Sequence, residues 1–235
     1  MFSNKTALVI APHPDDEVFG CGGLIAKMIR QNCKVYVLYV TVGETRDFSN
    51  KGSSGPQERI KEIENVADFY QFEDYELALP GNEYHLKLDS LPNSKLISLI
   101  ERDARCSLQN VKPDILIAPD HDDYNQDHRA LYSAVITATR PAEARFKHFQ
   151  PLVITYELPY SNWGHSESPE RPNLYVELTD EDFARKVEAL KFYSSQLKSE
   201  NSPLSVNGIT IQAKYRGLQT QSNYAEAFKI KRLIV

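Results

Sequence analysis

The sequence predicts an α/β fold with a doubly wound, mostly parallel sheet and helices on both of its faces. Apolar runs at residues 6–10 and 35–41 continue without alternation, which is typical of strands covered on both faces. Three or more strand–helix units follow one another, and this favours parallel strands joined by right-handed crossovers. The 235 residues, of which 41% are hydrophobic, suit one α/β domain, so we expect a single domain over residues 1–235.

Strands and helices are expected to alternate in the first half of the chain. The strands are predicted at residues 6–12, 35–41, 75–79 and 114–119, and the helices at 17–31, from Pro56 onwards, at 94–108 and at 129–139. Residues 43–55 are polar and rich in glycine and serine, which predicts a long loop. Because this loop follows a strand end, we expect it to contact a substrate.

The second half of the chain has a less regular pattern. Strands are predicted at residues 152–158 and 174–178, with a loop at 161–172 between them. Residues 180–197 have the periodicity of an amphipathic helix, and Thr179 is expected to be its N-cap. For the tail we expect a short helix at residues 224–228 and a last strand.

The composition argues against several classes of partner. The chain has 27 basic and 32 acidic residues and a net charge of −5, and no basic run suggests nucleic acid or an anionic membrane. No apolar run approaches membrane-spanning length, and no signal peptide precedes the first strand. The three scattered cysteines favour a reduced compartment. We therefore expect a cytoplasmic protein without membrane or nucleic-acid partners, and the sequence leaves a homo-oligomer open.

Two loops rich in histidine and aspartate are expected to face each other. Residues 13–16 follow the first predicted strand, and residues 120–128 follow the fourth. In the common doubly wound order these two strands are neighbours, and the ligand crevice opens at their carboxyl ends. If the sheet has that order, the two loops line one cleft.

Such a cleft favours metal binding. His13 precedes a proline and Asp16 lies three residues on, while a second histidine from the facing loop would complete a His, Asp, His set. Three protein ligands with one open position are typical of catalytic zinc, and the same ligands suit Fe²⁺. Asp15 is placed to act as a general base. The alternative is that Asp15 and Asp16 are ordinary cap and first-turn residues of the following helix.

The same residues resemble a known family, the PIG-L/LmbE-like deacetylases. The first motif is Ala11-Pro12-His13-Pro14-Asp15-Asp16-Glu17, followed by Gly20-Cys21-Gly22-Gly23, and the second is Asn125-Gln126-Asp127-His128-Arg129. Arg59 and Glu62 on one helix, Arg216-Gly217, and the segment Tyr224-Ala225-Glu226-Ala227-Phe228 fit the family pattern as well. The resemblance spans most of the chain.

The resemblance implies a Rossmann-like fold and a zinc-dependent hydrolase that removes acetyl groups from amino sugars or their conjugates. By position, His13, Asp16 and His128 would be the metal ligands. Asp15 would deprotonate the metal-bound water, and Asp127 would orient its neighbours from outside the ligand set.

One position departs from the family pattern. Many members have a histidine, used as general acid or oxyanion donor, where this chain has Asn125. An amide donates a hydrogen bond to an oxyanion but cannot protonate a leaving amine. Either His121 supplies that proton, or Asp15 returns it after acting as base, or the activity is weak or altered. We favour the Asp15 shuttle with Asn125 as hydrogen-bond donor.

Several further residues are candidates for substrate contact. Arg59 is expected either to bind sugar hydroxyls, as the family suggests, or to form an ion pair with an acid on its own helix. Glu44 and Arg46 begin the long loop beside the expected cleft, although each taken alone is more typical of a solvated loop charge. Trp163 could stack on a sugar ring or simply pack. His85 and His148 are expected to be surface residues.

Two other functions remain open at this stage. One is an amidase that acts on a sugar–thiol conjugate or another small amide. The other is a non-catalytic domain that binds a sugar nucleotide, in which His13 and Asp16 only cap a helix. The His13, Asp16 and His128 set separates these alternatives, because a helix cap does not need it.

Overall fold

The structure is a computed structural model that describes residues 1–46, 52–160 and 170–235. Within these ranges the strands are β1 (Thr6–Ala11), β2 (Lys34–Val42), β3 (Thr45–Arg46), β4 (Ser53–Ser54), β5 (Asp74–Pro80), β6 (Ile115–Pro119), β7 (Leu152–Tyr156), β8 (Leu174–Leu178) and β9 (Tyr224–Leu233). The helices are α1 (Asp16–Arg30), α2 (Pro56–Tyr70), α3 (Asn93–Ser98), α4 (Leu108–Val111), α5 (Gln126–Ala138), α6 (Asp180–Phe192) and α7 (Val206–Thr220).

Seven strands form one mixed sheet in the order β5-β2-β1-β6-β7-β9-β8. The first five are mutually parallel, whereas β9 runs antiparallel to both β7 and β8. β1 lies beside β6, with Leu8 opposite Leu116, so the strand order reverses between them. The predicted doubly wound sheet and the predicted pairing of the first and fourth long strands are confirmed.

The sheet is buried on both faces by two separate layers of apolar side chains. Alternate residues of a strand point to opposite faces. Ala7, Val9 and Ala11 accordingly pack with α1, α2, α6 and α7, while Leu8 and Ile10 pack with α3, α4 and α5. This two-sided burial explains why the strands have continuous apolar runs rather than alternating ones. No helix among the described residues is long and apolar enough to cross a membrane.

The C-terminal region differs from its prediction. The prediction of a helix at residues 224–228 is wrong, because this segment is the beginning of β9 and pairs with β8 along its length, while Phe228 also pairs with Tyr156 of β7. Helix α7 was not predicted, since β-branched residues and two glycines give it a weak helical signal. Gly208 has a packing reason, because a Cβ there would lie 2.5 Å from the Pro203 carbonyl oxygen.

Two other segments are more broken than expected. The helix predicted at residues 94–108 is split into α3, a single π turn at Leu99–Asp103, and the separate helix α4. The loop predicted at residues 43–55 contains β3 and β4, which pair with each other as a small antiparallel ribbon. Residues 47–51 of that loop lie outside the described part of the chain.

The N-cap of α6 is Thr179, as predicted. Its hydroxyl accepts a hydrogen bond from the Asp182 backbone N–H (3.1 Å), and the Asp182 carboxylate accepts one from the Thr179 N–H (3.1 Å). This reciprocal pair is a capping box, which satisfies two backbone donors at the helix start.

We expect Thr179→Ala to lower the free energy of unfolding by about 1 kcal/mol, because it removes the cap. Urea unfolding followed by circular dichroism measures this. Ser133→Ala, at an exposed position inside α5, is the matched control and should change stability by less than about 0.5 kcal/mol. Equal effects of the two variants would contradict the capping role.

Candidate active site

The three predicted metal ligands lie together at the carboxyl ends of β1 and β6. The Asp16 Oδ2 atom is 3.3 Å from His13 Nδ1 and 3.2 Å from His128 Nε2. The two imidazole centroids are 5.4 Å apart, and all three residues are buried. His13 and Asp16 come from the turn between β1 and α1, while His128 comes from the first turn of α5. The two predicted loops therefore share one cleft.

The turn that carries Asp15 and Asp16 has an unusual backbone. Asp15 adopts a left-handed conformation (φ 95°), although it is not glycine. It occupies the N-cap position of α1 without a capping side-chain hydrogen bond, so ordinary capping does not account for its carboxylate. The Glu17 carboxylate holds the turn by accepting a hydrogen bond from the Asp15 N–H (3.1 Å). Glu17 is itself held by the hydroxyls of Tyr39 and Tyr193.

A second carboxylate contacts each histidine at the ring nitrogen that does not face Asp16. His13 Nε2 lies 2.9 Å from Asp127 Oδ2, and His128 Nδ1 lies 2.9 Å from Asp123 Oδ2. Such pairs orient a metal-ligating imidazole and make it more basic. Asp127 lies where the sequence predicted, but the partnership of Asp123 with His128 was not foreseen, since nothing in the spacing distinguishes it from Asp122.

The inner atoms of this cluster suit a cation. His128 Nε2 is buried, and within the described residues its contact with Asp16 Oδ2 at 3.2 Å is not a well-aligned hydrogen bond. Although burial acts against it, the nearby carboxylates of Asp16 and Asp123 raise the pKa of His128 to about 10. Burial alone would raise the pKa of Asp16, but the charge of His128 holds it well below its usual range. Two imidazole nitrogens and one carboxylate oxygen, in surroundings made negative by further acids, are a ligand set that fits a divalent metal.

Asp15 lies beside this cluster, above a buried arginine. The Arg59 guanidinium is 3.7 Å from Asp15 Oδ1 and 3.7 Å from Glu62 Oε2, and it also donates to the Pro14 carbonyl oxygen. Arg59 is only 2% exposed. Its contact with Glu62 matches the predicted ion pair with an acid of its own helix. Burial, opposed by Arg59, raises the pKa of Asp15 to about 7.

Asn125 and His121, the two candidates for the role of the histidine that is missing at position 125, lie in different environments. Asn125 caps α5, with its side-chain oxygen accepting the Asp127 N–H (2.9 Å). His121 belongs to another cluster, where its two ring nitrogens lie 3.2 Å from carboxylate oxygens of Asp120 and Asp122. Lys229 of β9 binds both of these carboxylates at 2.7 Å. His121 therefore contacts the acids of a different cluster from the one that contains His13.

An open cavity of about 300 Å³ adjoins the cluster, and two predicted substrate residues line it. Glu44 and Arg46 form an ion pair at its rim (2.9 Å). The lining residues are Glu44, Arg46, Asn82, His85, Leu86 and Lys87. Trp163 lies outside the described residues.

The prediction that His85 is a surface residue is wrong. It is 5% exposed, and its ring lies edge-on to His13 with the centroids 5.3 Å apart. Burial lowers the pKa of His85 to about 4. One sequence signal could have found it: the residue follows the carboxyl end of β5, at the same edge of the sheet as the two motif loops. His148, in contrast, is half-buried near the opposite edge, with Nε2 2.9 Å from the Pro113 carbonyl oxygen.

Comparisons with known proteins identify relatives of this chain. The family model of PIG-L, the GlcNAc-PI de-N-acetylase, matches residues 8–139, more than half of the chain. An uncharacterized deacetylase from Escherichia coli K12, YaiS, is 26% identical over 193 residues, which cover 81% of this chain and 91% of that protein.

Solved structures share the fold. The N,N′-diacetylchitobiose deacetylase from Pyrococcus horikoshii has a TM-score of 0.69 at 22% identity, covering 96% of this chain and 83% of its own. GalB from Pseudomonas putida KT2440, a 4-carboxy-2-hydroxymuconate hydratase, has a TM-score of 0.72 at 21% identity and 98% coverage of both chains. Because a hydratase shares this architecture, the fold alone does not select the reaction.

We expect Asp123→Asn to weaken zinc binding by about 10- to 100-fold, because the amide is a poorer acceptor for the His128 Nδ1–H. Calorimetric titration of the metal-free protein with Zn²⁺ measures the dissociation constant. Asp103→Asn, at an exposed position beside Arg102, is the control and should leave it unchanged. An unaltered dissociation constant in Asp123→Asn would remove Asp123 from the metal site.

Proposed function

The chain belongs to the PIG-L family of GlcNAc-PI de-N-acetylases, and from this membership we propose that it is a metal-dependent deacetylase acting on an N-acetyl amino sugar or its conjugate. The observation that carries the proposal is the convergence of His13, Asp16 and His128, in which Asp16 Oδ2 lies 3.2–3.3 Å from one nitrogen of each imidazole. Asp15 lies beside them as a carboxylate that the fold does not use as a helix cap.

These three residues would hold the ion, either zinc or ferrous iron. A divalent metal bound there supplies Lewis acidity to the acetamide carbonyl and to the attacking water. The Nε2 atom of His128, which makes no well-aligned hydrogen bond within the described residues, supports this assignment, as do the carboxylates behind both imidazoles. Asp123 and Asp127 keep the ring orientations fixed, so little reorganisation is needed when the ion binds.

Asp15 moves the proton in this mechanism. Its carboxylate takes a proton from the water that attacks the acetamide carbon, and it returns the proton to the leaving nitrogen as the C–N bond breaks. The products are acetate and the free amine. Arg59, 3.7 Å away, holds the carboxylate in position through a charge contact. This shuttle needs no second titratable group, which fits the absence of a histidine at position 125.

Asn125 would stabilise the charge that develops on the carbonyl oxygen. The helix cap occupies its amide oxygen, which leaves the side-chain NH₂ group as the donor that Asn125 can offer. A positioned neutral donor of this kind stabilises a tetrahedral oxyanion without donating its proton. The substrate is a small molecule, and the cavity beside Glu44 and Arg46 would receive the part of it that lies beyond the acetamide.

We expect Asp15→Asn to retain bound metal while kcat falls by about 10²- to 10⁴-fold, because the base is lost and the shape is kept. Acetate release is measured from free, nucleotide-linked and glycoside-linked N-acetyl amino sugars, together with metal content by elemental analysis. Asp89→Asn, an exposed acid, is the control. Unchanged turnover would exclude Asp15 as the base. A wild-type protein with no stoichiometric metal and no zinc-supported hydrolysis would refute the function.

Three further variants test the departure at position 125. Asn125→Asp keeps an oxygen for the α5 cap but loses the NH₂ donor, so we expect kcat to fall by about 10²-fold with metal retained. Asn125→Ala should also lower kcat, with an added loss of stability of about 1 kcal/mol from the missing cap. His121→Ala should change kcat little. A larger loss in His121→Ala than in Asn125→Asp would identify His121 as the proton donor.

A further inference from the structure

His85 lies between the metal cluster and the open cavity. Its ring contacts His13 on one side, and it is one of the residues that line the cavity on the other. The Nδ1 atom is 3.2 Å from the Thr41 hydroxyl, and the Nε2 atom is 3.0 Å from the Thr45 hydroxyl. Both partners of the ring are therefore uncharged, and neither nitrogen faces a carboxylate.

Two threonine hydroxyls hold the ring by both of its nitrogens. The Thr41 hydroxyl also lies 3.1 Å from the Pro12 carbonyl oxygen, which accepts a hydrogen bond from the Thr41 N–H as well. In a neutral imidazole one nitrogen donates and the other accepts, and a hydroxyl can do either. Nε2 therefore shares one hydrogen bond with the hydroxyl of Thr45, a half-buried residue near the cavity.

The surrounding backbone fixes the ring in this orientation. Gly43 packs directly against His85, since a Cβ at Gly43 would lie 2.6 Å from His85 Cβ. The Asn82 side chain accepts a hydrogen bond from the Glu44 N–H (2.7 Å), which ties the segment carrying His85 to the segment carrying Thr45. A buried polar atom held this rigidly discriminates strongly, because a ligand without a matching hydrogen-bonding group leaves it unpaired.

We propose that His85 determines substrate specificity, with its Nε2 atom forming a hydrogen bond with a sugar hydroxyl group in place of Thr45. This inference rests on the proposed deacetylase function, and it names the substrate class more closely: an amino sugar with a free hydroxyl at one particular ring position. A hydroxyl is the suitable partner because it matches the Thr45 group that it replaces.

The test measures binding rather than turnover. Zinc-loaded Asp15→Asn protein is titrated with N-acetylglucosamine and with its 3-, 4- and 6-deoxy analogues. One analogue should bind roughly three- to tenfold more weakly than the parent sugar, as expected for one lost hydrogen bond. With His85→Phe added, this analogue and the parent sugar should bind equally well, while the other two analogues keep their affinities relative to the parent. Adding His85→Gln, which keeps a hydrogen-bonding group, should preserve part of the difference.

Two further variants guard against a folding artefact. Thr45→Val removes the competing hydroxyl without altering the histidine, and it should strengthen binding of the parent sugar but not of the discriminated deoxy analogue. His148→Phe is the matched control for a histidine near the opposite edge of the sheet, and it should leave all four affinities unchanged.

The outcomes separate the two proposals. If wild-type protein releases acetate but no deoxy effect depends on His85, the specificity role is overturned and the proposed function stands. If the His85-dependent effect is present but no N-acetyl sugar is hydrolysed, the function fails and the binding role stands. Equal weakening of all four sugars by His85→Phe also overturns the specificity role, as does absence of binding by every sugar. Acetate release from the free, nucleotide-linked and glycoside-linked substrates decides the proposed function in either case.

Discussion

The site depends on one backbone constraint, the left-handed conformation of Asp15. This conformation costs about 1–3 kcal/mol for a non-glycine residue, so the surrounding structure must enforce it. Glu17 does so by binding the Asp15 N–H while two tyrosine hydroxyls hold its carboxylate. The sharp turn lets adjacent acids take different environments. Asp16 contacts both histidines, whereas Asp15 lies against Arg59, and this division allows one acid to hold an ion while its neighbour handles a proton.

The two motif loops are supported from the same strand. On β9, Glu226 and Lys229 are an odd number of residues apart and therefore point to opposite faces of the sheet. Glu226 binds the Gly23 and Leu24 N–H groups, where α1 resumes after non-helical Cys21. Lys229 binds the two acids that begin the second loop. Each buried charge has partners, and such ions are strongly destabilising when a partner is removed.

The parts of the molecule that local pattern determines were predictable, and those that depend on distant pairing were not. Runs of buried residues identify β1, β2 and β6, and their order follows from the general rule for doubly wound sheets. The segment at 224–228 has helical composition, yet pairing with β8 makes it a strand. The predicted ligands share a cleft because they follow neighbouring strands. His85 was missed because its burial depends on Gly43 and on contact with His13, neither of which is visible in its own neighbourhood.

The position of β9 has a consequence for dissecting the chain. Every residue proposed here for chemistry or for ion binding lies within the stretch that the family model covers, residues 8–139. Two buried charges that bind neighbouring segments, Glu226 at Gly23–Leu24 and Lys229 at Asp120 and Asp122, lie almost ninety positions further on. Part of the support for the site is thus distant from it in sequence but not in space. A fragment ending after α5 would contain every proposed reactive group but would lack β9 and these two charges.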